Sequence, residues 1–417
     1  MTRNHWHVNA REHISFPALD RDISVDFAII GAGFTGLSAA LHAATSGMRV
    51  AVVDANHVGF GGSGRNVGLV NAGLWLPPDQ ICGALGQDAG QRLINRLSAA
   101  PDDVFDLIKT YDIQCDAHRN GTIHLAHSKD GLADLERRNA QWNARGVKTQ
   151  VLSCDEVEKR VASPCYHGGL HDPRAGVIQP FDYVRGLARA AASHGVDVFE
   201  HTEFRSASHA QDIWHVTTNG GTIRAKYLLN ATNAYGPLFG GATVPKTSYV
   251  YYFQMVSDRI PDDIAQDLLR NREGCWDTAM IMTSFRMTRD NRLVFGAMGN
   301  ANGAHGAIHR IWARREMQRI FPQLRGVGLG DYWSGRIAMT PSKIPTILSR
   351  DHCSSVFGYS GRGIAPGTAL GKDIALHYAS DGTYEVSVPI SESYEEAFCD
   401  VKSAYYETGA SMIHAVS

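Results

Sequence analysis

The 417-residue chain predicts an α/β fold, with one region wound around a parallel sheet and another, α+β in character, built on a largely antiparallel sheet. Three stretches carry that prediction. Val25 to Ala55, "VDFAIIGAGFTGLSAALHAATSGMRVAVVDA", reads strand, turn, helix, strand. Val356 to Ala379, "VFGYSGRGIAPGTALGKDIALHYA", repeats the order of strand, Gly-rich turn and helix. "KTSYVYYFQMV" alternates instead: Tyr249, Tyr251 and Phe253 share one face, Val250 and Tyr252 the other.

In the first stretch Phe27 to Ile30 is an apolar run suited to a buried parallel strand, and Leu37, Ala40, Leu41 and Ala44 recur at helical spacing. Gly47 ends the helix and Val50 to Val53 form the next strand. Gly31, Gly33 and Gly36 occupy the positions of G-x-G-x-x-G, making the unit Rossmann-like. Gly31 permits the tight turn, Gly33 admits a pyrophosphate to the backbone, and Gly36 lets helix and strand pack closely. Phe34 and Thr35 open the helix, whose free N–H groups and partial positive charge suit that phosphate. Asp54, with Ala55 beside it, ends the second strand about 20 residues on, where a carboxylate meets a ribose. A dinucleotide ligand follows, without a 2'-phosphate.

"GFGGSGRNVGLVNAG" then places six glycines between Gly59 and Gly73. Gly62, Ser63, Gly64, Arg65, Asn66, Val67, Gly68 and Leu69 are expected to run beside the ligand, with Arg65 and Asn66 reaching its oxygens. "GLHDPRAGVIQPFDYVRGLARAAASHGVDVFEHTEF" reads as a turn, a helix with Val184, Leu187 and Ala188 on one face, and a strand near Val196 to Phe199. Phe204 follows it. "IRAKYLLNATNAYG" is a buried strand ending in Ala231 and Thr232, small residues that a sheet edge facing a ligand needs.

Composition removes other classes. A net charge of −2 gives no polyanion signature, so no nucleic-acid partner is expected. Seven scattered cysteines, none spaced CxxC, fit free thiols in a reducing compartment. The sequence has neither a signal-peptide core nor an apolar run of membrane-spanning length, so a cytoplasmic, soluble protein is expected. His5 and His7 in "HWH" lack nearby acidic or Cys partners, so a packed or solvated terminal segment is expected there and no metal.

The motifs GAGFTGLSAA, GGSGRN and GYSGRG, in this order, resemble the D-amino-acid-oxidase-type family of FAD-dependent amine oxidases. "YLLNATNAYG" and "YWSGRIAMTPSKIPTI" extend the likeness over nearly the whole chain. The resemblance implies FAD, and a discontinuous FAD-binding domain (1–84, 152–236 and 332–417) interleaved with a substrate domain (85–151 and 237–331). It further assigns Gly335, Arg336, Gly361, Arg362, Gly363, Ile364 and Ala365 to the flavin side. Relatives that link FAD covalently use a Cys near the segment matching Trp333 to Thr340 or a His just after the second Gly-rich turn; neither is present there, so the FAD is expected to be non-covalent.

The activity implied is oxidation of a primary or secondary amine, with O2 as acceptor and hydrogen peroxide as product. Such chemistry needs a neutral amine and a desolvating pocket more than an acid-base dyad. Tyr249 and Tyr251 are candidates for the aromatic wall. Sarcosine oxidases of the family use a lysine toward oxygen, at a place falling near Val294, which leaves Lys246 as a substitute candidate. The Arg and Lys that hold a carboxylate in those enzymes align near Gly68 and Ala365. A distal anionic group on the substrate would therefore need Arg336, Lys343, Arg286 or Arg362, the last suited to oxyanions by its fork. Two alternatives stay open: oxidation of 2-hydroxy acids or polyols, and a non-catalytic flavin-binding subunit.

Overall fold

Phe27–Ile30 and Val50–Val53 are apolar on both faces, so they belong inside a sheet covered on both sides. The computed structural model describes residues 4–236 and 246–416 and buries every one of these residues. Across the nine-stranded sheet the order runs Ile390–Ser391, Thr346–Arg350, Cys353–Phe357, Thr222–Asn230, Ile23–Ile30, Val50–Val53, Asp197–Phe199, with Ile213–Thr218 and Phe204–Ala210 branching off Thr222–Asn230. Ile23–Ile30 pairs in parallel with both neighbours, and Thr222–Asn230 pairs in parallel with Cys353–Phe357. Segments far apart in the chain thus share one sheet, and their Gly-rich turns meet at its carboxyl edge, where open α/β sheets bind ligands.

The helices after those turns, Phe34–Thr45 and Ala365–Ala379, pack face to face. Small residues allow it: Ser38 Oγ donates to the Thr368 carbonyl at 2.7 Å, and a Cβ on Gly371 would enter the Thr35 carbonyl. Thr35 and Tyr359 share a hydroxyl hydrogen bond of 2.7 Å, which ties the two turns together.

The second sheet has eight strands, in the order Leu329–Met339, Ser248–Ser257, Leu293–Met298, Thr283–Met287, Gly274–Asp277, Thr122–Leu125, Gly169–Asp172, Gln150–Leu152. Its pairs are antiparallel except Gly274–Asp277 with Thr122–Leu125. Two expected boundaries are corrected here. Gly169–Asp172 lies between two strands of the substrate sheet, and Leu329–Met339 pairs along Ser248–Ser257. Gly169–Asp172 and residues 332–339 fall in the expected FAD-binding domain, because pairing partners leave no trace in composition. Conversely, Leu93, Ile94, Leu97, Val104 and Leu107, assigned to the substrate domain, join the core around the Phe34–Thr45 and Ala365–Ala379 helices. Residues 237–245 of the predicted substrate domain lie outside the described residues.

The HWH segment is packed. Trp6 is buried, meets Trp333 edge-on at 5.9 Å and donates from Nε1 to the Asn66 carbonyl, while His7 stacks on Phe181 at 3.9 Å. Among the described residues, no helix is long and apolar enough to cross a membrane.

Candidate active site

A cavity of about 1060 Å³ lies between the carboxyl edge of the first sheet and one face of the second. That is at the top of the roughly 300–1,000 Å³ range of small-molecule sites. One end is made of backbone. Gly31 has φ +106°, and a Cβ there would press on the Ala231 backbone at 3.1 Å. A Cβ on Gly33 would meet Ser63 Oγ at 2.9 Å, and one on Gly36 would run into the Gly31 carbonyl. The Phe34–Thr45 helix therefore opens with no side-chain cap at Gly33, as an anion-binding terminus requires. Ser63 Oγ accepts from the Phe34 N–H at 3.1 Å and holds the second turn against the first. Asp54 accepts from the N–H groups of Ala32 (3.0 Å) and Asn56 (2.9 Å), while burial raises its pKa. Across from it, the Ala365–Ala379 helix also begins without a side-chain cap, and nothing lies within 4 Å of where a Gly363 Cβ would sit.

Of the residues expected at the cofactor, Gly31, Gly33, Phe34, Thr35, Asp54, Ala55, Gly62, Ser63, Arg65, Asn66, Val67, Leu69 and Phe204 line this cavity. So do Ala231, Thr232, Gly335, Arg336, Gly361, Arg362, Gly363 and Ile364. Gly36, Gly64, Gly68 and Ala365 stand behind it. Arg65 and Asn66 spend their side chains on the turn itself. Asn66 Nδ2 donates to the Gly62 and Ser63 carbonyls, and its Oδ1 accepts from the Gly68 N–H at 2.9 Å. Arg65 Nε donates to the Phe60 carbonyl at 2.7 Å, and its Nη1 reaches the Ser334 carbonyl at 3.3 Å. Both walls are thereby fixed before any ligand arrives.

The other end is made of side chains. Arg362 reaches from the second turn to the eight-stranded sheet, its guanidinium 5.0 Å from the Trp75 ring and 5.3 Å from the Trp276 ring. Nη1 donates to the Ala72 carbonyl at 2.8 Å, whereas its buried Nε has no partner. Burial, and then the neighbouring Arg138, pull its pKa down to about 9, so the charge is held at neutral pH; Asp172 supports it from a distance but is bonded to Arg174, and among the described residues Arg362 forms no ion pair. Arg138 is itself committed, to Asp134 and to the Trp75 carbonyl, both at 2.6 Å. His124 stacks on Trp276 at 4.9 Å, and burial drives its pKa well below the usual value, so it adds no charge.

The three remaining catalytic candidates are corrected. Lys246 pairs with Asp400 on the protein surface, away from the cavity, because it precedes the strand that lines it. Tyr249 and Tyr251 occupy the opposite face of that strand, toward the C-terminal helix, where the Tyr249 N–H donates to Ser403 Oγ at 2.9 Å. Val250, Tyr252 and Gln254 face the cavity instead. The alternation in the sequence was right and the choice of face was not. Gly68, expected beside the ligand, is packed against protein: a Cβ there would enter the Ile178 carbonyl and lie 2.9 Å from Arg286 Nη1. Arg286 is buried and bonded to Ile178 and to Asp116, so it is a structural cation. Arg336 stacks over Tyr235, and Lys343 sits exposed at the rim. Trp75, His124, Gln254 and Trp276 were missed; only Gln254 had a sequence signal, as the next residue on the Val250 and Tyr252 face.

Two uncapped helix termini, an acid at the end of the second strand and a separate sheet across the cavity define a dinucleotide-dependent enzyme. The chain belongs to the FAD dependent oxidoreductase (DAO) family, whose model matches residues 26–376. It is 30% identical to gamma-glutamylputrescine oxidoreductase from Escherichia coli (strain K12), over 90% of this chain and 88% of that protein. It is 25% identical to glycine oxidase from Geobacillus kaustophilus (strain HTA426), over 81% of this chain and 87% of that one. The solved glycine oxidase from Geobacillus kaustophilus shares the fold, with a TM-score of 0.71 at 20% identity over 87% of this chain and 96% of that one. The protein is an FAD-dependent oxidoreductase. The residues present fit the cofactor: Gly31 and Gly33 leave room for a pyrophosphate at the helix terminus, Asp54 would suit a ribose, and Gly361 to Ile364 line the same cavity.

Proposed function

We propose that the chain oxidises a primary or secondary amine that carries an anionic group away from its nitrogen. In outline, an amine R–CH2–NH2 with O2 and water becomes R–CHO, ammonia and H2O2. A secondary amine releases a primary amine in place of ammonia. Bound FAD supplies the two-electron acceptor for the hydride leaving the carbon next to nitrogen, and O2 then carries the electrons away as hydrogen peroxide. The imine left behind is hydrolysed to the aldehyde.

One observation carries this reading: a buried guanidinium, Arg362, without an ion pair among the described residues and set between two indoles where the cavity meets the eight-stranded sheet. A buried cation of that kind calls for an anion. The nearby carboxylates do not compete for the amine as counter-ions. Asp134 is paired with Arg138, and Asp277 is bonded to Thr283 and the Ala279 N–H while burial raises its pKa. With both carboxylates engaged, this end of the pocket favours the neutral amine, whose lone pair the oxidation needs. The relatives named above act, by their names, on gamma-glutamylputrescine and on glycine, which supports oxidation of a C–N bond here.

Turnover of a panel of amines, 2-hydroxy acids and polyols tests the proposal. Aldehyde and H2O2 should appear in equal amounts from amines bearing an acidic group. Turnover of hydroxy acids or polyols with none from amines would overturn it.

A further inference from the structure

One row of the eight-stranded sheet holds unpaired polar atoms at two separate points. Its register pairs Gln254 with Gly296, Gly296 with Ser284, Ser284 with Trp276, and Trp276 with His124. Residues paired in this way share a face, and Gln254, Ser284, Trp276 and His124 all line the cavity. Gln254 is 1% exposed, and its Oε1 has no hydrogen-bond partner. Its carboxamide lies over Gly296, where a Cβ would collide with it, so the glycine makes its seat. Tyr252, on the same face of the same strand, is not free to compete, because its hydroxyl is bonded to Ser284 Oγ at 2.9 Å. Further along the row, Trp276 Nε1 is a buried donor without a partner among the described residues, and Arg362 Nε, whose guanidinium carbon stands 5.3 Å from that ring, is a second.

We infer that Gln254 Oε1 receives an N–H of the substrate nitrogen while Trp276 Nε1 and Arg362 Nε bind a carboxylate at the substrate's far end. This rests on the amine reading above and narrows it to ω-amino carboxylates, as against α-amino acids. A neutral amide oxygen accepts from an amine without stabilising the ammonium as a carboxylate would. Two single N–H donors match the two oxygens of a carboxylate, whereas a phosphonate would leave an oxygen unmet.

Spacing sets the length. Strands lie about 4.8 Å apart, and the carboxamide over Gly296 is two strands from Trp276, so the poles are on the order of 10 Å apart. An extended chain advances roughly 1.2 Å per bond, which makes that span about eight bonds. Hydrogen bonds of about 2.9 Å directed inward at both ends leave about 4 Å, roughly three to four bonds. The N–C–C–O path of an α-amino acid has three bonds, the short end of that range, and those of the longer ω-amino carboxylates reach or exceed it.

The test is anaerobic reduction of the FAD-loaded protein by glycine, 3-aminopropanoate, 4-aminobutanoate, 6-aminohexanoate and butylamine, with Kd taken from the concentration dependence. Kd should fall at least ten-fold from glycine to the longer acids. Gln254→Met should raise Kd about ten-fold for every amine, butylamine included, and Gly296→Ala, which unseats the carboxamide, should do the same. Glycine binding as tightly as 4-aminobutanoate and 6-aminohexanoate in the unaltered protein would overturn the inference and leave amine oxidation standing. So would an unchanged Kd in both variants. No reduction by any amine would remove the amine reading, and this inference with it.

Discussion

At one end of the cavity Gly31, Gly33 and Gly363 strip side chains away so that backbone and helix termini meet the ligand; at the other, Trp75, Trp276 and Arg362 fill the wall with side chains. The first end offers what a pyrophosphate and a ribose need, which every dinucleotide has in common. On the function proposed above, the second end tells one substrate from another. A backbone site needs glycine at fixed spacing, and that spacing is visible in a sequence. A side-chain site is assembled from strands that are distant in the chain, and nothing in Trp276 alone announces that His124 and Arg362 will stand beside it.

Changes at the backbone-built end should be the more damaging. Gly36→Val places carbon inside the Gly31 carbonyl, and we expect more than about 4 kcal/mol of destabilisation with loss of bound flavin. Thermal unfolding and the absorbance of the purified protein check this. Behind the same end, Asp182 accepts from the N–H groups of Arg11 and Glu12, and burial raises its pKa from 3.8 to about 6. The folded state then binds more protons than the unfolded one between about pH 4 and 6. Stability should fall as pH rises through that window, by at most about 3 kcal/mol. In Asp182→Asn this slope should flatten, as measured by denaturant titration across the window.

At the side-chain end the effects should be selective. Arg362→Met should weaken binding of carboxylate-bearing amines by about 2 kcal/mol, roughly thirty-fold, with neutral amines changed less than three-fold. Equal losses for both would make Arg362 a cofactor residue. The smallest effect is expected at Lys246, whose exposed pair with Asp400 lies outside the cavity. Lys246→Ala should leave both the thermal midpoint and the rate of flavin reoxidation by O2 unchanged.

The parallel sheet, its βαβ unit and both Gly-rich turns were legible because buried strands and tight turns restrict composition directly. The alternation through Val250, Tyr252 and Gln254 was legible too, but period two does not say which face meets the C-terminal helix and which the cavity. Gly68 was misread for a related reason: a glycine marks a close approach without saying what approaches, and here it is the Ile178 carbonyl and Arg286. The placement of Gly169–Asp172 and Leu329–Met339 in the substrate sheet depends on long-range pairing, which local pattern does not encode.

Anaerobic mixing of the holoenzyme with 4-aminobutanoate, and separately with 4-hydroxybutanoate, sets the same chain length and carboxylate against a change of one atom at the reacting end. The account predicts that the flavin absorbance is bleached by the amine and left unchanged by the alcohol. Bleaching by the alcohol alone would contradict it.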